Sequence, residues 1–184
     1  MDPGESSYRR FLGGDDEGLR EIIREYHYGL LMYLNSLVRN VALAEDLTED
    51  TFAEIAVKRP RFHGRSRFKT WLYAIGRNLA CKYIRRSSRE TVIPLSAAEE
   101  VAEEENLERN CIRDEQKIAL HRAMSGLKAE YRQVLWLTFF EDLSNEEAAA
   151  VMDRKKRQIE NLLYNAKKAL KEELQKAGFQ YEEQ

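Results

Sequence analysis

Little in this chain points to the common ways of fixing a small protein from outside its core. There are only two cysteines in 184 residues, Cys81 and Cys111, and neither belongs to a CxxC pair, so a disulfide framework is excluded. Three prolines and nine glycines leave few chain breaks. No segment of alternating β-branched residues stands out, which argues against sheets. His27, His63 and His121 are scattered, and neither ExxH nor HExxH spacing occurs, so no metal site is indicated. No run approaches the ~18 apolar residues of a membrane helix; the most apolar stretch, LLMYLNSLV, is interrupted by Asn35 and Ser36. The first residues, MDPGESSYRRFLGGDDEG, lack the basic start and apolar stretch of a signal peptide. The expectation is a cytoplasmic, reduced, all-α protein with no cofactor and no small-molecule substrate.

What the chain does have is charge, and it is segregated. Charged residues make up 34% of the sequence and the formal net charge is only −2. Residues 1–57 carry twelve acids against five bases. Residues 58–89 carry eleven bases and no acid. Residues 90–115 reverse the sign, with nine acids and two bases. A charge run is often a solvated helix face, but thirty-two residues without one acid suit a polyanion partner. The pI of about 6.0 is far below that of a free-standing DNA-binding domain, so nucleic-acid binding would draw on a second protein.

The acidic stretch divides the chain. Residues 1–87 are expected to form an N-terminal helical domain, 88–111 an acidic linker, 112–177 a C-terminal helix-turn-helix domain, and 178–184 a tail, with Gly178 ending the last helix. Domains this small bury only ~60% of their chain surface, so each is marginal alone.

Within the basic block, Phe68, Leu72, Ile75 and Leu79 form one apolar stripe of a helix, which sends Lys69, Tyr73 and Arg77 to the opposite side. Trp71 lies close enough to the stripe to pack in the core. Ahead of that helix, Pro60 and Gly64 break the chain, and Phe62 and His63 stand among arginines. Phe62 either stacks on an unpaired base while cations track phosphates, or packs back onto the domain. Asn78 offers both a donor and an acceptor to a base edge.

The preceding helix, ALAEDLTEDTFAEIAV, turns Leu43, Leu47, Phe52 and Ile55 inward and Glu45, Asp46, Glu49 and Asp50 outward. That acidic face is either solvated surface or a docking site for a basic protein.

Towards the C-terminus, Tyr131, Val134, Leu135, Leu137, Thr138 and Phe139 read as a buried helix. Ser144 followed by Glu147 is a capping box. A turn near Asp153–Lys155 leads to a second helix with Ile159, Leu162, Leu163, Ala166 and Leu170 inward. Its exposed start carries Lys155, Lys156, Arg157, Gln158, Glu160, Asn161 and, a turn later, Tyr164. Helix-turn-helix proteins read the major groove with such N-terminal residues; an ordinary helical hairpin with a polar rim would share the pattern.

AEDLTEDTF, RFHGRSRFKTWLYAIGRNLA and EDLSNEEAAAVM, in this order and spacing, resemble the bacterial RNA polymerase sigma factors of the extracytoplasmic-function group over nearly residues 8–175. The resemblance implies that Glu45, Asp46, Glu49 and Asp50 dock on the clamp helices of the largest polymerase subunit. It implies that Arg61, Phe62, His63, Arg65 and Arg67, with Asn78, capture a flipped base of the −10 element, and that Lys69, Tyr73 and Arg77 lie along that strand. It further implies that Lys155, Lys156, Arg157, Gln158, Glu160, Asn161 and Tyr164 read the −35 element while this domain touches the flap of the second-largest subunit. An anti-sigma factor is an expected partner, and no catalysis is expected. Glu160 and Asn165 depart from the basic residues that many members carry on this helix. The alternative is a stand-alone helix-turn-helix regulator, in which the acidic face would be idle. Each DNA stacking step costs about 1.4 kcal/mol to open, and one base on an aromatic ring returns roughly 1–3 kcal/mol. Melting would therefore need the polymerase.

Overall fold

The computed structural model describes residues 2–90 and 115–176; the expected linker beyond residue 90 and the tail at 178–184 lie outside the described residues. Among the described residues there are helices and no strand. The N-terminal half comprises α1 (Pro3–Leu12), α2 (Asp16–Val38), α3 (Val41–Lys58) and α4 (Phe68–Glu90). The C-terminal half comprises α5 (Glu115–Ser125), α6 (Ala129–Leu135), a π-helical turn at Trp136–Phe140, α7 (Asn145–Met152) and α8 (Lys156–Lys176).

Local chemistry sets where these helices start. Asp15 and Asn40 take extended backbone and accept from the amides of Glu17 and Leu43, relieving groups that have no partner inside the first turn. Asp2 does this for two helices at once. One of its carboxylate oxygens accepts from Gly4 N at 3.0 Å at the start of α1, where Pro3 fits the first-turn geometry. The other accepts from Phe68 N at 2.7 Å at the start of α4. The cap of α4 thus comes from 66 residues away in sequence.

Aromatic packing fills the N-terminal core. Phe68 and Tyr8 are buried, and Trp71 packs beside both, with ring centroids 5.4 Å from Phe68 and 5.3 Å from Tyr8. Leu30, Leu34, Ile55 and Leu72 complete the centre of the bundle. The helix α1 crosses α2 at Gly18, where any side chain would collide with backbone: a Cβ there would sit 2.2 Å from Ser7 O.

The two halves pack against each other along α2 and α4. Arg132, on α6, is buried and donates to its own half at Leu127 O and to Ser36 O of α2 at 2.9 Å. The buried apolar residues of both halves form one continuous cluster.

The reading of residues 131–139 as a uniformly buried helix needs correction at Phe139, which is 55% exposed. In an α-helix it would share the face of the buried Leu135, four residues earlier. The π turn is wider, and its closing bond runs from Glu141 N to Trp136 O at 3.2 Å. That extra width carries Phe139 and Phe140 outward.

Gly18→Ala should destabilise the protein by about 1–3 kcal/mol, the usual cost of overpacking, although alanine is the better helix former. Urea unfolding followed by circular dichroism measures this, and an unchanged midpoint would show that α1 is not seated on α2.

Candidate nucleic-acid and polymerase interfaces

The acidic face is built by α3. Its apolar positions Ala44, Leu47, Phe52 and Ile55 are buried against the neighbouring helices, and Leu43 is half-buried. Glu45, Asp46, Glu49 and Asp50 are therefore left exposed together, and none of the four forms an ion pair among the described residues. Such a field of one sign suits a basic partner surface.

The basic loop at 59–67 is anchored at its start, where Tyr8 donates its hydroxyl to Pro60 O at 2.7 Å. Gly64, at φ 67°, supplies the left-handed turn in its middle. Arg61, His63, Arg65 and Arg67 are exposed. Phe62 is half-buried, edge-on to Phe68 at 5.7 Å and 5.3 Å from Trp71. The ring rests on the domain, so of the two readings the sequence left open, this structure has the packed one. Asn78 is exposed on α4.

The far side of α4 is not the open surface that periodicity suggested. Tyr73 is fully buried and stacks on Tyr33 at 5.5 Å. Its hydroxyl donates to Glu141 Oε2 at 2.8 Å. Lys69 is only 25% exposed, with its ammonium 2.6 Å from Glu141 Oε2 and 3.0 Å from Glu141 O. Arg77 is half-buried and donates to Gln133 Oε1 at 3.3 Å. Arg67 makes a two-pronged contact with Glu147, NH2 to Oε2 at 2.7 Å and Nε to Oε1, and also donates to Asp142 O at 3.3 Å. Four residues expected on the −10 surface thus face the C-terminal half. The helical period set Lys69, Tyr73 and Arg77 apart from the Phe68 stripe, but it carries no information about a second domain covering the other side.

The electrostatics follow from this packing. Burial pushes the Tyr73 phenol far above its ordinary range, and the neighbouring Glu141 carboxylate pushes it further. Hydrogen bonding from Arg67, opposed by burial and helped by the Ser144 amide and hydroxyl, lowers the Glu147 carboxyl to about 2.

Glu147 belongs to the helix-turn-helix as well. Its amide donates to Ser144 Oγ at 3.3 Å and its carboxylate accepts from Ser144 N at 2.9 Å, closing the capping box of α7. Ala148, Ala149, Val151 and Met152 are buried, and Asp153 turns the chain at φ 51° into α8. Ile159, Leu162 and Ala166 anchor α8, with Leu163 and Leu170 half-buried. Lys155, Lys156, Arg157, Gln158, Glu160, Asn161 and Tyr164 are all exposed along its start. Lys156 pairs with Glu146 of α7 and lies 3.9 Å from Glu160, while Gln158 Oε1 accepts from Lys155 N at 2.8 Å. Behind α8, Leu120, Met124, Leu135, Phe139, Phe140 and Leu170 line an apolar groove edged by Lys167 and Lys171. No local pattern signals this groove, because it depends on the π turn.

Both halves match known families. The family model described as Sigma-70 region 2 matches residues 22–90, and that described as Sigma-70, region 4 matches residues 117–170. The chain belongs to the extracytoplasmic-function group of RNA polymerase sigma factors. RNA polymerase sigma factor YlaC of Bacillus subtilis is 26% identical over 163 residues, which span 88% of this chain and 94% of that protein. ECF RNA polymerase sigma factor SigM of the same organism is 27% identical over 156 residues, covering 82% and 91%. Among solved structures, the sigma factor RpoE of Bartonella quintana, in complex with the anti-sigma factor NepR, superposes with TM-score 0.67 at 26% identity, covering 85% of this chain and 98% of that one. CnrH in complex with the cytosolic domain of CnrY shares the fold with TM-score 0.68 at 19% identity, covering 95% and 98%. As a sigma factor the protein directs promoter-specific initiation by RNA polymerase. Sigma factors are not enzymes. No helix among the described residues is long and apolar enough to cross a membrane.

The contact between Glu147 and Arg67 makes the stability of this sigma factor pH-dependent. A carboxyl whose folded value is depressed contributes stability above its unfolded value, near 4.5, and loses that contribution as pH falls towards about 2. Stability measured by urea unfolding should therefore drop across this window, and the drop should be shallower in Glu147→Gln. Parallel pH profiles for the two proteins would overturn the assignment.

Proposed function

We propose a division of labour for this sigma factor. The exposed acids Glu45, Asp46, Glu49 and Asp50 of α3 dock on the clamp helices of the largest polymerase subunit. The loop bearing Arg61, His63, Arg65 and Arg67, with Phe62 and Asn78, takes the non-template strand of the −10 element; Lys69, Tyr73 and Arg77, covered by the C-terminal half in this structure, join that surface only where the two halves part. The start of α8, from Lys155 to Tyr164, enters the major groove at the −35 element, with Arg157, Gln158 and Asn161 suited to purine edges and Glu160 to the cytosine amine. The flap of the second-largest subunit is the polymerase contact of the same half. An anti-sigma factor restrains the protein, a reading supported by the sigma factor RpoE having been solved in complex with the anti-sigma factor NepR.

The observation that carries this reading is the simultaneous exposure of two cationic surfaces, the 61–67 loop and the first turn of α8, on a chain whose third exposed face is uniformly acidic. A stand-alone regulator has no use for the acidic face. The linker's place between the two reading heads is likewise part of the proposal.

Transcription with purified bacterial core polymerase on a library of promoter fragments tests the whole reading. Start sites that depend on the chain and share two spaced elements are expected; sequence-specific binding by the chain alone with no new transcripts would favour a stand-alone regulator. Component by component, Asp46→Lys with Asp50→Lys should weaken binding to core. Phe62→Ala or Asn78→Ala should impair open-complex formation and leave core binding near the wild-type value. Lys156→Ala with Arg157→Ala should lower the slope of log affinity against log salt for −35 DNA by about 2.

A further inference from the structure

Phe139 and Phe140 stand exposed side by side at the π turn. With Leu120 and Met124 of α5, Leu135 of α6 and Leu170 of α8 they line a groove of about 360 Å³. A sizeable apolar patch with a polar edge marks a surface that another segment covers. The walls of this one are fixed: Phe140 stacks on Trp136 at 4.3 Å, and Lys167 Nζ lies 5.1 Å over the Phe139 ring. Lys167 and Lys171 edge the opening, while Glu173, further along α8, is paired with Lys176 at 2.6 Å. An occupant that suits this groove has large apolar side chains and carries acids to meet the two lysines.

The residues that follow α8 have that composition. AGFQYEEQ, residues 177–184, holds two aromatics and two acids and no base. By contrast, residues 107–114, which lead into α5, carry Arg109 and Arg113 beside Glu108 and Asp114 and offer the lysines no net charge. A glycine just past a helix end takes the left-handed conformation that turns the chain back, and Gly178 holds that position after Lys176. Phe179 and Tyr181, two residues apart, fall on one side of an extended chain. The reach is sufficient. At 1.5 Å per residue, Lys171 and Lys167 lie about 8 and about 14 Å back along α8 from Lys176, and the five residues 179–183 extend to ~17 Å.

We propose that residues 178–184 fold back along α8 and seat Phe179 and Tyr181 in this groove, with Glu182 and Glu183 against Lys167 and Lys171. Because the tail is tethered, its effective concentration at the groove is of millimolar order whatever the protein concentration. A seated tail hides Phe139 and Phe140, and any other apolar segment must displace it to reach them.

The test uses the full chain labelled with carbon-13 at the methionine methyls. Of the four methionines, Met124 lines the groove and Met152, buried in the helix-turn-helix, is the reference. Phe179→Ala/Tyr181→Ala changes no residue of the described core, and it should shift the Met124 resonance and leave Met152 in place. The free peptide AGFQYEEQ, titrated against both proteins, should bind this variant about tenfold tighter than the wild type, the gain expected if the tail covers the groove roughly nine-tenths of the time. Lys167→Glu/Lys171→Glu should also release the tail, and adding Glu182→Lys/Glu183→Lys should restore peptide exclusion. A Met124 resonance indifferent to the tail variant, with equal peptide affinities, would overturn the proposal. So would a wild-type Met124 resonance that moves on dilution while the tail variant behaves identically, because the groove would then be held by a second copy of the chain. Release by Phe179→Ala/Tyr181→Ala without restoration by the charge exchange would overturn the pairing of Glu182 and Glu183 with the lysines.

Discussion

A carboxylate withdrawn from water must be met by donors, and Glu141 finds them on both sides of a domain boundary. At 8% exposure it is held by Lys69 and Tyr73 from one half and by Trp136 from its own. Left alone in that position it would cost several kcal/mol in desolvation. The halves consequently meet in one registration, with α4 turned so that its cationic side faces the π turn and the start of α7. Around this polar centre the seam is completed by Arg132 on the carbonyl of Ser36 and by Arg67 on Glu147. These contacts orient the halves more than they bind them, since paired charges lose almost as much hydration as they gain in attraction.

Both halves are small, and neither buries much of its own surface. The N-terminal one compensates with dense aromatic packing around Phe68 and with Asp2 tying the starts of α1 and α4. The C-terminal one compensates with a capping box, close alanine contacts in α7 and the anchoring stripe of α8. The continuity of the apolar cluster across the boundary lets each half cover part of the other. On the proposed reading, in which the chain reaches two separated DNA elements, a boundary centred on paired charges suits halves that part and rejoin.

Local rules made most of the fold legible in the sequence. Capping residues and the 3.6 period place α3, α4, α7 and α8, because in each the information lies within a few residues: the Leu43, Leu47, Phe52 and Ile55 spacing in α3, the Phe68 stripe in α4, Ser144 and Glu147 at α7. The exposed residues of α3 and of the start of α8 were legible for the same reason. What was not legible came from distance. No local signal says that Asp2 caps Phe68, that Tyr73 is covered by a residue 68 positions later, or that Phe62 leans on Phe68 and Trp71. Phe139 was misplaced because the helical period was assumed to hold through the segment where the helix widens.

That widened turn makes the chain's length between α6 and α7 a functional quantity. Its closing bond runs five residues back instead of four, so the turn holds one residue that an α-helix would not need. A single-residue deletion within 136–140 would close the turn to α-helix and leave Glu141 facing nearly the same way, towards Lys69 and Tyr73, whereas a second deletion, with no spare residue left to lose, would rotate everything after it by about 100° about the helix axis. Descendants of this sequence can therefore lose one residue at the wide turn and keep how the two halves of the molecule see each other, but not two.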